Sequence, residues 1–88
     1  MMIMNNTEKF RNACEDAVQV FVKLNIEEQN DIKSKLEYCI GSYDHDKNPV
    51  GLIEYAKIAL AELKSFKKQN PRKVNKKIIE NLEKFLAN

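Results

Sequence analysis

Two stretches hold most of the residue types able to do chemistry. The first, GSYDHDKNPVG from Gly41 to Gly51, gathers Asp44, Asp46, Asn48, the chain's single histidine His45 and both of its glycines. Asp44, Asp46 and Asn48 have the spacing of the first three ligands of an EF-hand calcium loop, in which oxygens converge on the ion. The pattern then breaks. The position that needs glycine for the sharp turn is Pro49, and the position that needs a bidentate glutamate is Tyr55, with Glu54 one place early. A transition metal would have only His45 and its two sequence neighbours, which rarely converge on one ion. The stretch therefore reads as a corner: Gly41 and Ser42 close one helix, Asp44 to Lys47 are solvated, and Asn48 and Pro49 open the next helix. No metal or cofactor is expected.

Nucleophilic catalysis requires a Cys or Ser activated by an oriented base, and His45 has neither a Gly-rich loop nor an oxyanion motif near it. Cys14 and Cys39 fall at apolar-periodic positions and form no CxxC pair, so they read as reduced, buried thiols. The carboxylate pairs Glu15/Asp16 and Glu27/Glu28 are adjacent in sequence and point to different helical faces. They read as solvation and helix-start charges, and the chain is expected not to be an enzyme.

The second stretch, KSFKKQNPRKVNKK from Lys64 to Lys77, holds seven cationic residues and no acid. Lys64, Lys67 and Lys68 fall at the end of a helix, where cations favourably meet the dipole's negative end. Arg72, Lys73, Lys76 and Lys77 are expected in the first two turns of the following helix, where the dipole disfavours them and no nearby acid offsets them. Free N–H groups beside Arg and Lys make a natural site for phosphate or carboxylate. The candidate anion- or partner-binding residues are Lys67, Lys68, Arg72, Lys73, Lys76 and Lys77. The solvated face of a lysine-rich protein accounts for the same charges.

The elements that must position these residues are helices. Only two glycines and two prolines are available for turns, too few for many short strands. Phe10, Cys14, Ala17, Val18, Phe21 and Leu24 recur at helical spacing, with Asn6 or Thr7 as cap. Asn25 with Glu28 reads as the start of a second helix, whose face is Ile32, Leu36, Cys39 and Tyr43. Asn48-Pro49 and Asn70-Pro71 read as two further starts, since proline's fixed φ suits the first helical position. The apolar stripes that follow are Ile53, Ala56, Ala59, Leu60, Leu63 and Phe66, then Val74, Ile78, Leu82, Phe85 and Leu86. Helices at about 7–24, 26–41, 49–69 and 71–87 with short connections predict one all-α domain, an antiparallel up-down four-helix bundle. A single kinked helix across Asn70 is the structural alternative.

From Asn48 to Leu86 the order of features resembles the immunity proteins that protect bacteria from pediocin-like bacteriocins, the enterocin A type in particular. The matching features are NPVGLIEY opening a helix, the basic break KKQNPRK, and a last helix KKIIENLEKF. The resemblance implies a cytoplasmic four-helix bundle that recognises a bacteriocin-engaged sugar permease from inside the cell. It carries no catalytic or ligand motif.

The charge supports binding. Residues 1–50 hold six Lys/Arg against nine Asp/Glu, and residues 51–88 hold nine against four. MMIM is too short for a signal peptide and no apolar run approaches the ~18 residues of a membrane span, so the chain is expected to be soluble and cytoplasmic. The leading expectation is a protein-binding module that uses the basic corner. The alternative is a nucleic-acid or anionic-surface binder, in which the last two helices imitate a helix-turn-helix. A homodimer is a third reading, with Tyr38, Tyr43, Tyr55 and Phe66 as interface candidates.

Overall fold

A computed structural model describes residues 6–86, which form four α-helices and one short 3-10 turn. The helices are α1 (Asn6–Leu24), α2 (Asn30–Asp46), α3 (Val50–Gln69) and α4 (Lys76–Leu86), and the turn spans Glu27–Gln29. Each helix packs mainly on its neighbours in the ring α1, α2, α3, α4, and α4 closes back on α1. The chain is an all-α, up-down four-helix bundle. Residue 87 and the short apolar stretch at 1–4 lie outside the described residues, as does the side chain of Asn6.

Apolar spacing places the core where the sequence reading expects it on α1 and α2, whereas on α3 the buried face turns to Leu52, Ala56, Ala59 and Leu63 and leaves Ile53, Leu60 and Phe66 only partly buried. Phe10, Cys14, Ala17 and Phe21 from α1 meet Leu36 and Tyr43 from α2 and Leu52, Ala56, Ala59 and Leu63 from α3. Ile79 and Leu82 of α4 complete the core, and Phe85 stacks on Phe10 with ring centroids 4.2 Å apart. Full burial of each large apolar side chain is worth about 1.5–3 kcal/mol relative to exposure. Cys14 and Cys39 are free and buried. Burial pushes the Cys14 thiol up to about 12, with the nearby Cys39 adding to the shift, so it stays protonated and inert.

Four element boundaries differ from expectation. Asn25 does not open α2; its φ of 49° is left-handed and its N–H donates to the Phe21 carbonyl, which ends α1. The 3-10 turn follows, with no side-chain cap at Ile26. At the far end α2 runs through Gly41 and Ser42 to Asp46 instead of stopping at 41. Lys47, at φ 60°, then closes it by donating its N–H to the Tyr43 carbonyl. Only Lys47, Asn48 and Pro49 are left as the corner. The Asn48 Oδ1 accepts the N–H of Val50, and the Pro49 carbonyl accepts that of Ile53, so Pro49 occupies the position expected of Asn48. The fourth helix begins at Lys76, not at 71.

The α1–α2 seam carries a polar cluster that sequence spacing does not reveal. Arg11 pairs with Asp44 through two bonds and with Glu15 one turn along its own helix. Tyr43 donates its hydroxyl to Glu8, and the Lys47 ammonium lies 3.5 Å from the same carboxylate. Asp44 and Asp46, read above as loop residues, thus end α2. Asp46 accepts the Asn48 N–H. Among the described residues no three His, Cys, Asp or Glu side chains gather as metal ligands.

Candidate functional site

The candidate site is the connection between α3 and α4, and its shape follows from how its backbone polar groups are satisfied. At the end of α3 the Asn70 N–H donates to the Phe66 carbonyl, which closes the helix. The Lys73 N–H then donates to the Asn70 carbonyl at 3.0 Å, making a β-turn with Asn70 first and Pro71 second. That order suits proline as well as a helix start does, because the fixed φ matches the second turn position. Val74 follows the turn and is buried as its plug into the core.

Lys67 holds this turn in place. Its ammonium donates to the carbonyls of Pro71 and Val74, both at 2.9 Å. Those two oxygens belong to irregular backbone and have no helical partner, so a cation satisfies them from the last turn of α3. Lys67 is therefore half-buried and spent on structure.

Asn75 then caps α4. Its Oδ1 accepts the N–H of Lys77 at 2.8 Å, the bond that an N-cap side chain makes to the second residue of a helix. The signal was available in the sequence as Asn75 three residues ahead of the Ile78/Ile79 pair. Asn70-Pro71 competed with it.

These contacts sort the six candidate residues. Arg72 and Lys73 lie in the turn, exposed, rather than in the first helical turns as expected. The dipole argument thus applies only to Lys76 and Lys77. Lys76 also has a partner, since its ammonium is 3.6 Å from Glu80 one helical turn on; the expectation that no acid offsets these cations is corrected there. Lys68 is exposed on the last turn of α3, and Lys64 lies 3.7 Å from Glu83 of α4. What the fold brings together without an acidic partner among the described residues is Lys68, Arg72, Lys73 and Lys77.

Comparison of the chain with known protein families, with curated proteins and with solved structures finds no match. The site is read from its own chemistry.

The up-down order sets the α1–α2 connection at the same end of the bundle. It carries exposed Glu27 and Glu28, and the side chain of Gln29, only 2% exposed, reaches toward Glu62 of α3 at 3.5 Å. One end of the molecule is therefore polarised, basic over α3 and α4 and acidic beside them. The α4 helix is held in the bundle by Ile79, Leu82 and Phe85, and its outer face carries Lys76 and Lys77 in the first turn and then Glu80, Asn81, Glu83 and Lys84. No helix among the described residues is long and apolar enough to cross a membrane.

Proposed function

We propose that this chain is a non-enzymatic cytoplasmic binding protein whose α3–α4 end, with Lys68, Arg72, Lys73 and Lys77, docks on an acidic patch of a protein partner. The observation that carries the reading is the division of labour within the basic cluster. Lys67 fixes the turn, and Lys68, Arg72, Lys73 and Lys77 around it have no acid of their own among the described residues. A rigid display loses little ordering entropy on binding.

A protein partner is favoured over nucleic acid because Glu27 and Glu28 flank the basic patch. A continuous polyanion lying across this end would meet them, whereas a protein surface can match both signs. Bacteriocin immunity is the specific setting we propose, on the resemblance of the region from Asn48 to Leu86, with a bacteriocin-engaged membrane permease as the partner.

Expression in a sensitive strain tests this setting. The wild type should protect against at least one pediocin-like peptide, and a folded variant carrying Arg72→Ala, Lys73→Ala and Lys77→Ala should lose that protection. Sensitivity to a broad panel would sink the immunity assignment. Fluorescence anisotropy with random DNA and RNA tests the competing reading. Salt-sensitive binding that disappears in the same variant would replace the protein partner with nucleic acid.

A further inference from the structure

The two connections at the basic end are built differently. The α3–α4 turn is fixed by the Lys67 ammonium on two carbonyls, by the Asn75 cap on α4 and by the buried apolar side chain of Val74. The α1–α2 connection has none of these devices. Between 25 and 30 the one buried side chain is Gln29, and it is polar. Ile26 is half-buried, while Asn25, Glu27, Glu28 and Asn30 are exposed. No side chain caps the 3-10 turn at Ile26 or the start of α2 at Gln29. What closes the segment is backbone alone: the Gln29 N–H donates to the Ile26 carbonyl at 3.0 Å, and the Asn30 N–H donates to that of Glu27.

The Gln29 amide is poorly satisfied where it lies. Its Nε2 donates to Glu62 Oε1 at 3.5 Å, the outer limit of a hydrogen bond, and its Oε1 is buried with no partner among the described residues. Turning the amide over does not help, because its oxygen would then face the Glu62 carboxylate and its NH2 would take the buried place. A buried polar group that has given up water without gaining a partner costs free energy, which it recovers on exposure. The residue that holds this connection in is thus also the one that gains by leaving.

We propose that residues 25–30 form a strap that opens as a unit while the bundle stays folded, with Gln29 as its latch. In the open state Gln29 leaves the interior and its amide is hydrated. The left-handed Asn25, where α1 already ends, is the hinge on one side, and the uncapped start of α2 is the hinge on the other. Opening exposes little apolar surface, because none of the core side chains belongs to the strap. Glu27 and Glu28 ride on it. This end of the molecule therefore has a fixed basic half and a movable acidic half, and opening changes where the acids stand relative to the cations.

Amide hydrogen exchange on the full chain, read by NMR at several low urea concentrations, tests this. Relative to their intrinsic rates, the amides at 29 and 30 should exchange at least about tenfold faster than those of Leu36 and Leu63, with little dependence on urea, since a local opening exposes little surface. Gln29→Met keeps the length of the side chain and removes the orphaned oxygen. It should slow exchange at 29 and 30 by about tenfold. The amides at 70 and 73 should keep their wild-type rates, because their opening leaves residue 29 in place. Wild-type rates at 29 and 30 that match the core and share its urea dependence overturn the proposal. So does a Gln29→Met variant in which these two amides exchange as fast as before, since Gln29 would then not be the latch. Equal slowing at 70 and 73 also overturns it, because the whole end would then open as one.

Discussion

Arg11 and Asp44 bind each other across the α1–α2 seam through two parallel bonds, Nε to Oδ1 at 3.0 Å and Nη2 to Oδ2 at 2.8 Å. The residues are 33 positions apart, and the pair fixes the end of α2 against the start of α1. The hydrogen bonds from Arg11 hold the Asp44 carboxyl below its ordinary range, and the same bonds raise the Arg11 guanidinium. A lowered folded-state value means that the ionised form is the one favoured by folding. The stabilisation is present above the ordinary aspartate range and is lost as pH falls through the lower folded value. Asp44→Asn should cost about 0.5–1 kcal/mol at neutral pH, the upper part of the range for exposed pairs. Urea titrations at a series of pH values should show that cost shrinking in acid; a difference constant down to the lowest pH would show that the pair contributes nothing.

Lys67→Met keeps most of the side chain's apolar length and removes both bonds to the Pro71 and Val74 carbonyls. Leaving those acceptors without a partner should cost about 1–3 kcal/mol. The loss should be local, visible as faster amide exchange from 70 to 78 with α1 and α2 unchanged. Uniform exchange across the chain would show that Lys67 is only another surface cation.

Asn75→Ala should destabilise the protein by about 1 kcal/mol, the usual cost of removing an N-cap side chain, while Asn70→Ala should cost clearly less. Thermal unfolding of the two variants side by side reads this directly. Equal losses would return the start of α4 to Asn70.

Gly41 is exposed inside α2, and a Cβ built on it meets nothing within 4 Å. Its φ is not positive, so alanine fits without strain. Gly41→Ala should therefore stabilise the chain by about 0.5–1 kcal/mol, because glycine loses more freedom in a helix. A lowered melting temperature would place a helix end at Gly41 after all.

These two positions show where the sequence is legible and where it is not. The stripes on α1 and α2 are long and regular, so helical spacing alone identifies Phe10, Cys14, Phe21, Leu36 and Cys39 as core. Boundaries depend on contacts that sequence does not carry. Gly41 reads as a stop because glycine is a poor helix former, yet Tyr43 beyond it is buried and hydrogen-bonded to Glu8, which draws the helix on to Asp46. Asn-Pro suits a helix start and a β-turn alike, and the buried Val74 decides for the turn. The basic cluster is visible as composition. Its sorting into a clamp, a paired lysine and free cations is set by distances across six connecting residues, which spacing cannot supply.

That sorting predicts unequal effects within the cluster on binding to an acidic partner. Lys76 already faces Glu80 in an exposed pair, so Lys76→Ala removes a charge that is partly offset on its own helix, and binding should change less than at an unpaired cation. Lys77 is on the same helical turn and has no such ion pair among the described residues. Lys77→Ala should weaken binding and reduce its dependence on salt, as should Arg72→Ala, because each removes an exposed and uncompensated cation. Protection in the bacteriocin assay, or affinity for a partner once identified, should therefore follow Arg72 and Lys77 and depend less on Lys76. If Lys76→Ala proves as damaging as Lys77→Ala, the cluster acts through net charge alone and the fixed geometry of the turn is not what the partner reads. Lys67→Met adds the complementary case: its charge faces backbone carbonyls, so any loss of binding there should come with the faster amide exchange of the turn.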